Sequence, residues 1–129
     1  MKKIFIFIFC IFAFNANSME KETTFNKELF QKAQADGKIV IVSSWIKYCS
    51  SCASQMKILN KAKKEGKLSD IEFTNIEYFA FDVTNREISD MFNVQYQTTL
   101  LIFKNNEEVY RSIGEIKKEA IYKALKSSI

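Results

Sequence analysis

Ile39-Val40-Ile41-Val42-Ser43-Ser44-Trp45-Ile46-Lys47-Tyr48-Cys49-Ser50-Ser51-Cys52 is the stretch on which the fold of this chain turns. Ile39 to Ser43 is a continuous run rich in β-branched residues, the pattern of a buried central strand. The stretch ends in a Cys-x-x-Cys pair. Beyond it, Ala53, Met56, Ile58, Leu59 and Ala62 carry helical periodicity as far as Gly66. Two thiols at the junction of a strand and a helix are suited to reversible dithiol–disulfide chemistry.

Working outward, the same logic orders the rest. Phe25, Leu29, Phe30 and Ala33 recur at helical spacing, with Thr24 or Asn26 as cap and Gly37 as stop. Ile76 to Val83 reads as a second buried strand, and Ile88, Met91 and Phe92 as a short helix. Thr99 to Phe103 and Glu108 to Ile113 read as strands joined through the tight-turn pair Asn105-Asn106. Ile116, Ala120, Ile121, Ala124 and Leu125 line a closing helix. The order α-β-α-β-α-β-β-α predicts an α/β domain: a mixed sheet of about four strands with helices on both faces. The chain has no proline, and Gly37, Gly66 and Gly114 fall where elements end. The phenylalanines at 73, 79, 81, 92 and 103 are expected in the core. Trp45 is divided between packing and a role at the pair, whereas Tyr48 is expected exposed beside Cys49.

The N-terminus reads as a secretory leader. Lys2 and Lys3 precede the apolar stretch Ile4 to Phe14, and Ala16 and Ser18 are small residues preceding a cut after Ser18. The stretch is well short of the about 20 residues that span a membrane. Residues 1–18 are thus expected to be a signal peptide, and 19–129 a single domain. An uncleaved anchor stays open, the one arrangement that would tether the chain to a membrane. The net charge is +4, half of it on Lys2 and Lys3, which argues against nucleic-acid or polyanion binding. Lys57, Lys61, Lys63, Lys64 and Lys67 read as a solvated helix face.

Removal of the leader takes Cys10 with it and leaves Cys49 and Cys52 as the available thiols. In an oxidising compartment their intramolecular product is a Cys49–Cys52 disulfide. Its small loop restrains the unfolded chain less than a long-range bridge would, which favours a redox role over a staple. A sulfur at a helix start lies against unpaired N–H groups and the positive dipole end, both favouring thiolate. Cysteines so placed have pKa values of roughly 3.5–7.5. Ser50 and Ser51 add hydroxyls, and Lys47 adds positive charge. Cys49 is expected to attack and Cys52, one turn deeper, to resolve, through a mixed disulfide. Two other readings stand beside this one. One is a thiolate metal carrier, which needs a second copy or a bridged cluster because the chain has no His and a structural zinc takes four ligands. The other is an interaction domain whose pair has lost turnover.

Ser43 to Cys52 resembles the active-site segment of the thioredoxin-like superfamily, with Trp45 four residues before the first Cys and the aromatic Tyr48 directly before it. Phe92 to Glu107 resembles the second signature of that family, continuing to Gly114; the likeness covers nearly all of residues 24 to 127. It implies a thioredoxin-like fold and a thiol–disulfide oxidoreductase acting on protein thiols and disulfides, reset by a redox partner. No dissociable cofactor and no metal are implied, and a monomer is expected. Three departures stand out. The family's cis-proline would fall at Thr98. A cis bond there costs roughly 3–4 kcal/mol without proline, so a trans bond and an altered loop are expected, with Thr98 and Thr99 facing the pair and the substrate. The family's buried acid, which assists proton transfer to the deeper Cys, is replaced by Ser43. Ser50-Ser51 stands where thioredoxins have Gly-Pro. Together these suggest a specialised exported oxidoreductase. The leader and the resemblance together imply the periplasm of a Gram-negative host, and the expected role is that of a reductase, with an oxidase as the second enzyme reading.

Overall fold

The computed structural model describes residues 23–129. The leader and its cleavage site lie outside the described residues. The elements are α1 (Lys27–Ala35), β1 (Ile39–Trp45), α2 (Ser50–Glu65), β2 (Lys67–Leu68), β3 (Ile71–Glu72), a 3-10 turn (Phe73–Asn75), β4 (Ile76–Asp82), α3 (Arg86–Phe92), β5 (Thr99–Lys104), β6 (Glu107–Ile113) and α4 (Lys118–Ser128). Four strands form one sheet in the order β4-β1-β5-β6. β1 runs parallel to β4 and antiparallel to β5, and β5 pairs antiparallel with β6. Asn105 and Asn106 both take left-handed backbone (φ 53° and 65°), as a tight turn between twisted strands requires.

Side chains alternate across a strand, so the continuous apolar runs bury both faces of the sheet. Val40, Val42, Phe79, Phe81 and Leu101 pack one face together with Phe30 and Ala33 of α1 and Phe92 of α3. Ile41, Tyr78, Ala80, Leu100 and Ile102 pack the other with Met56, Leu59 and Ala62 of α2 and Ile121, Ala124 and Leu125 of α4. The four expected helices and four sheet strands are all present.

Differences are local. Asn26, not Thr24, caps α1: its side chain accepts the Leu29 N–H at 3.0 Å. Thr24 instead binds β4, its Oγ1 accepting the Ala80 N–H at 2.9 Å. The β2–β3 hairpin was not legible, because two-residue strands carry no periodicity. Leu29 and Met91, expected on apolar faces, are exposed, as is Ile116. α4 starts two residues beyond Ile116 because the Glu115 carboxylate accepts the Lys117 N–H at 2.9 Å and Gln55 Nε2 donates to the Glu115 carbonyl at 2.8 Å. Those bonds tie the preceding loop to α2. The lysines of α2 are exposed, though Lys63 Nζ also reaches the Tyr78 carbonyl at 3.3 Å.

Candidate active site

β1 ends at Trp45, and the chain reaches α2 through Lys47 and Tyr48, the latter with φ 65°. This turn delivers Cys49 to the N-cap of α2, where Cys49 Sγ accepts the Cys52 N–H at 3.2 Å. Cys49 and Cys52 form a disulfide with Cα atoms 5.3 Å apart. Cys49 is partly exposed, whereas Cys52 has 0 % exposure. An N–H aimed at the outer sulfur stabilises negative charge there once the bridge opens.

The loop before β5 closes over the pair. Thr98 Oγ1 lies 3.1 Å from Cys52 Sγ, 3.5 Å from Cys49 Sγ and 2.9 Å from Ser51 Oγ. Ser51 Oγ lies 3.3 Å from Cys49 Sγ. The Thr98 N–H donates to the Ser44 carbonyl at 2.9 Å, and the Gly114 N–H donates to the Thr98 carbonyl at 2.8 Å. No cis peptide bond occurs among the described residues, so the Gln97–Thr98 bond is trans. Thr98 instead takes φ 58°, a left-handed conformation that is a genuine outlier for a β-branched residue and costs about 1–3 kcal/mol. Its backbone and side-chain partners hold it there.

The family model for thioredoxin matches residues 18–127. The chain belongs to the thioredoxin family. It is a thiol–disulfide oxidoreductase of that family, acting on protein thiols and disulfides through its Cys-x-x-Cys pair. It is similar to a thioredoxin H-type of Fagopyrum esculentum, 25% identical over 97 residues that cover 74% of this chain and 78% of that one. The crystal structure of Trxlp from Edwardsiella tarda is 26% identical with a TM-score of 0.65, covering 77% of this chain and 92% of that one. Fasciola hepatica thioredoxin shares the fold at 19% identity, TM-score 0.62, over 79% of this chain and 89% of that one.

In this thioredoxin-family site Cys49, Cys52, Ser51 and Thr98 converge. Thr99 does not join them: it opens β5, is 2 % exposed, and its hydroxyl donates to the Tyr96 carbonyl at 2.6 Å. Ser50 is exposed on the first turn of α2. Tyr48 is 90 % exposed, with Lys47 Nζ 5.1 Å from its ring centroid. Trp45 is half-buried against the core face shared with α2 and α4. Ser43 is fully buried and shares a 2.7 Å hydrogen bond with the Tyr78 hydroxyl. Burial pushes the Tyr78 phenol well above its ordinary pKa, partly offset by that bond. Among the described residues no group of three or more His, Cys, Asp or Glu could hold a metal ion, and no helix is long and apolar enough to cross a membrane.

Two supporting residues escaped the sequence reading. Ser44 Oγ donates to the Tyr96 carbonyl at 2.7 Å and accepts the Thr99 N–H at 3.0 Å, stitching the Thr98 loop to β1. Gln55, fully buried one turn past Cys52, holds the Glu115 carbonyl. Each was signalled only as a polar residue inside an apolar stripe.

Proposed function

We propose that this chain is an exported reductase of protein disulfides, with Cys49 as nucleophile and Cys52 as resolving thiol. The supporting observation is the asymmetry of the pair: Cys49 Sγ is partly exposed and accepts a helix N–H, while Cys52 is sealed behind it. The Cys49 thiolate attacks a substrate disulfide, forming a mixed disulfide and releasing one substrate thiolate, which takes a proton from the medium. Cys52 then loses its proton, attacks Cys49 Sγ, and releases the second substrate thiolate, which is protonated. The substrate gains two electrons and two protons. The Cys49–Cys52 disulfide is the oxidised product, and a dithiol partner resets it. The domain acts as a monomer, and no dissociable cofactor enters these steps. Ser50, Ser51 and Lys47 tune the pair. Tyr48, exposed beside Cys49, offers an aromatic surface to a substrate, and Thr98 stands in the family's cis-proline position.

The reduction potential of Cys49/Cys52 in glutathione buffers tests the direction. A value near about −270 mV supports the reductase, and one near about −120 mV overturns it in favour of a disulfide donor. Cys52→Ser should accumulate mixed disulfides on Cys49; trapping through Cys52 in Cys49→Ser instead would reverse the roles. Export rests on Lys2, Lys3 and the apolar stretch Ile4 to Phe14, and the proposed site is the periplasm of a Gram-negative host. N-terminal sequencing of the chain isolated from its native host should begin at Met19; a chain beginning at Met1 would leave the leader uncleaved.

A further inference from the structure

We propose that Thr98 is a catalytic residue: its hydroxyl, with that of Ser51, relays the Cys52 proton out of the interior in the resolving step. This rests on the reading of Cys52 as the resolving thiol. Cys52 must lose a proton before it can attack, yet it has no exposed surface. The chain has no His, and among the described residues none of the fully buried side chains is a carboxylate. The buried Ser43 hydroxyl is bonded to Tyr78, whose phenol burial keeps protonated. Thr98 Oγ1 is 3.1 Å from Cys52 Sγ and 2.9 Å from Ser51 Oγ. Thr98 is itself 2 % exposed, while Ser51 is partly exposed and lies 3.3 Å from Cys49 Sγ. The hydroxyls therefore form a line from the sealed sulfur to the surface beside the sulfur under attack.

A threonine hydroxyl is not a base by itself. It passes a proton by accepting one as it gives another. Thr98 Oγ1 takes the Cys52 proton while its own goes to Ser51 Oγ. The Ser51 proton leaves at the surface, to the departing alkyl thiolate of a protein substrate or, where the departing thiolate is as weak a base as a nitro-substituted aryl thiolate, to water. The Cys52–Cys49 bond forms and the Cys49–substrate bond breaks. No charge is left inside, and no further reactant is needed. The left-handed backbone of Thr98 is what the loop sustains to aim this hydroxyl at the pair.

The test is single-turnover reduction of 5,5′-dithiobis(2-nitrobenzoate) by the reduced mature chain. The first chromophoric thiolate reports attack by Cys49, and the second reports resolution by Cys52. Thr98→Val, nearly isosteric, should slow the second phase relative to the first by about a hundredfold, the lower end of what a positioned proton-transfer group contributes. Thr98→Ser should restore the ratio. Ser51→Ala should also slow the second phase relative to the first, and the double variant should be no slower in it than Thr98→Val. An unchanged ratio in Thr98→Val, or a Thr98→Ser no better than Thr98→Val, overturns the relay. If Thr98→Val does not fold, a wild-type ratio in Ser51→Ala overturns it alone. A wild-type chain that releases no thiolate overturns the oxidoreductase reading, and the relay falls with it. A wild type that releases two, with variants that match it, overturns the relay alone.

Discussion

The two faces of the sheet are packed with different chemistry. The face under α1 and α3 is a phenylalanine cluster: Phe30 and Phe92 stack edge to face at 5.3 Å, Phe25 and Phe92 at 5.2 Å, and Phe79 and Phe81 line the strand beneath. The face under α2 and α4 is mainly aliphatic but admits the buried hydroxyls of Ser43 and Tyr78, and its helix α2 carries both sulfurs and Gln55. One face can be all packing because nothing there must change protonation state. The other pairs the Ser43 and Tyr78 hydroxyls with each other, since an unpaired buried polar group costs about 1–3 kcal/mol, although Gln55 Oε1 and Trp45 Nε1 are buried there without a hydrogen-bond partner. Stability and redox chemistry are therefore expected to separate between the faces.

The strongest attempt to break that separation is Phe81→Ala. Phe81 is fully buried on the phenylalanine face, and its truncation should cost about 3–5 kcal/mol. Urea unfolding would read the loss, with the reduction potential unchanged. A potential that moves with stability would mean the faces are coupled. Ser44→Ala comes next. It strands the Thr99 N–H, costing about 1–3 kcal/mol, while the Tyr96 carbonyl keeps its bond from the Thr99 hydroxyl, and it should also change the potential by loosening the Thr98 loop. A stability loss with no change in potential would make Ser44 a purely structural residue.

Tyr78→Phe sharpens the comparison through pH. It should cost about 1 kcal/mol at neutral pH by leaving Ser43 unpaired. The folded-state pKa of Tyr78 is raised above its ordinary value of about 10, so the unfolded chain loses this proton first on alkaline titration. Its contribution is whole below about pH 10 and is lost as pH rises from there through the folded-state pKa. Urea unfolding of the wild type should show a steeper loss of stability above about pH 10 than Tyr78→Phe, and equal slopes would remove Tyr78 as the cause. The smallest effect is expected at Lys61. Its 3.9 Å pair with Glu65 is exposed, and Lys61→Ala should change stability by about 0.5 kcal/mol or less. A larger loss in urea unfolding would mean the α2 surface does more than carry solvated charge.

Much of this was legible in the residues. Ile39 to Ser43 declared a buried strand because both of its faces are covered, and Phe79, Phe81 and Phe92 declared themselves core by their strand or helix spacing. The Cys49–Cys52 pair declared its chemistry, because thiols three residues apart at a helix start can reach each other. The hairpin at Lys67 to Glu72 was silent because it is too short for a period to show. Ile116 misled because a side-chain bond from Glu115, not hydrophobic spacing, decides where α4 begins.

The sequence by itself determined the order of the four helices and the four strands of the main sheet, the family and the pair, since these depend on residue type and spacing along the chain. Tertiary structure alone decided which hydroxyl meets which sulfur. Ser50, Ser51, Thr98 and Thr99 are alike as letters, yet Ser51 and Thr98 converge on the pair while Thr99 turns to Tyr96. The choice follows from the left-handed backbone at Thr98 and the Ser44 bonds that hold its loop against β1. These contacts join residues more than 40 positions apart, and no local pattern along the chain encodes them.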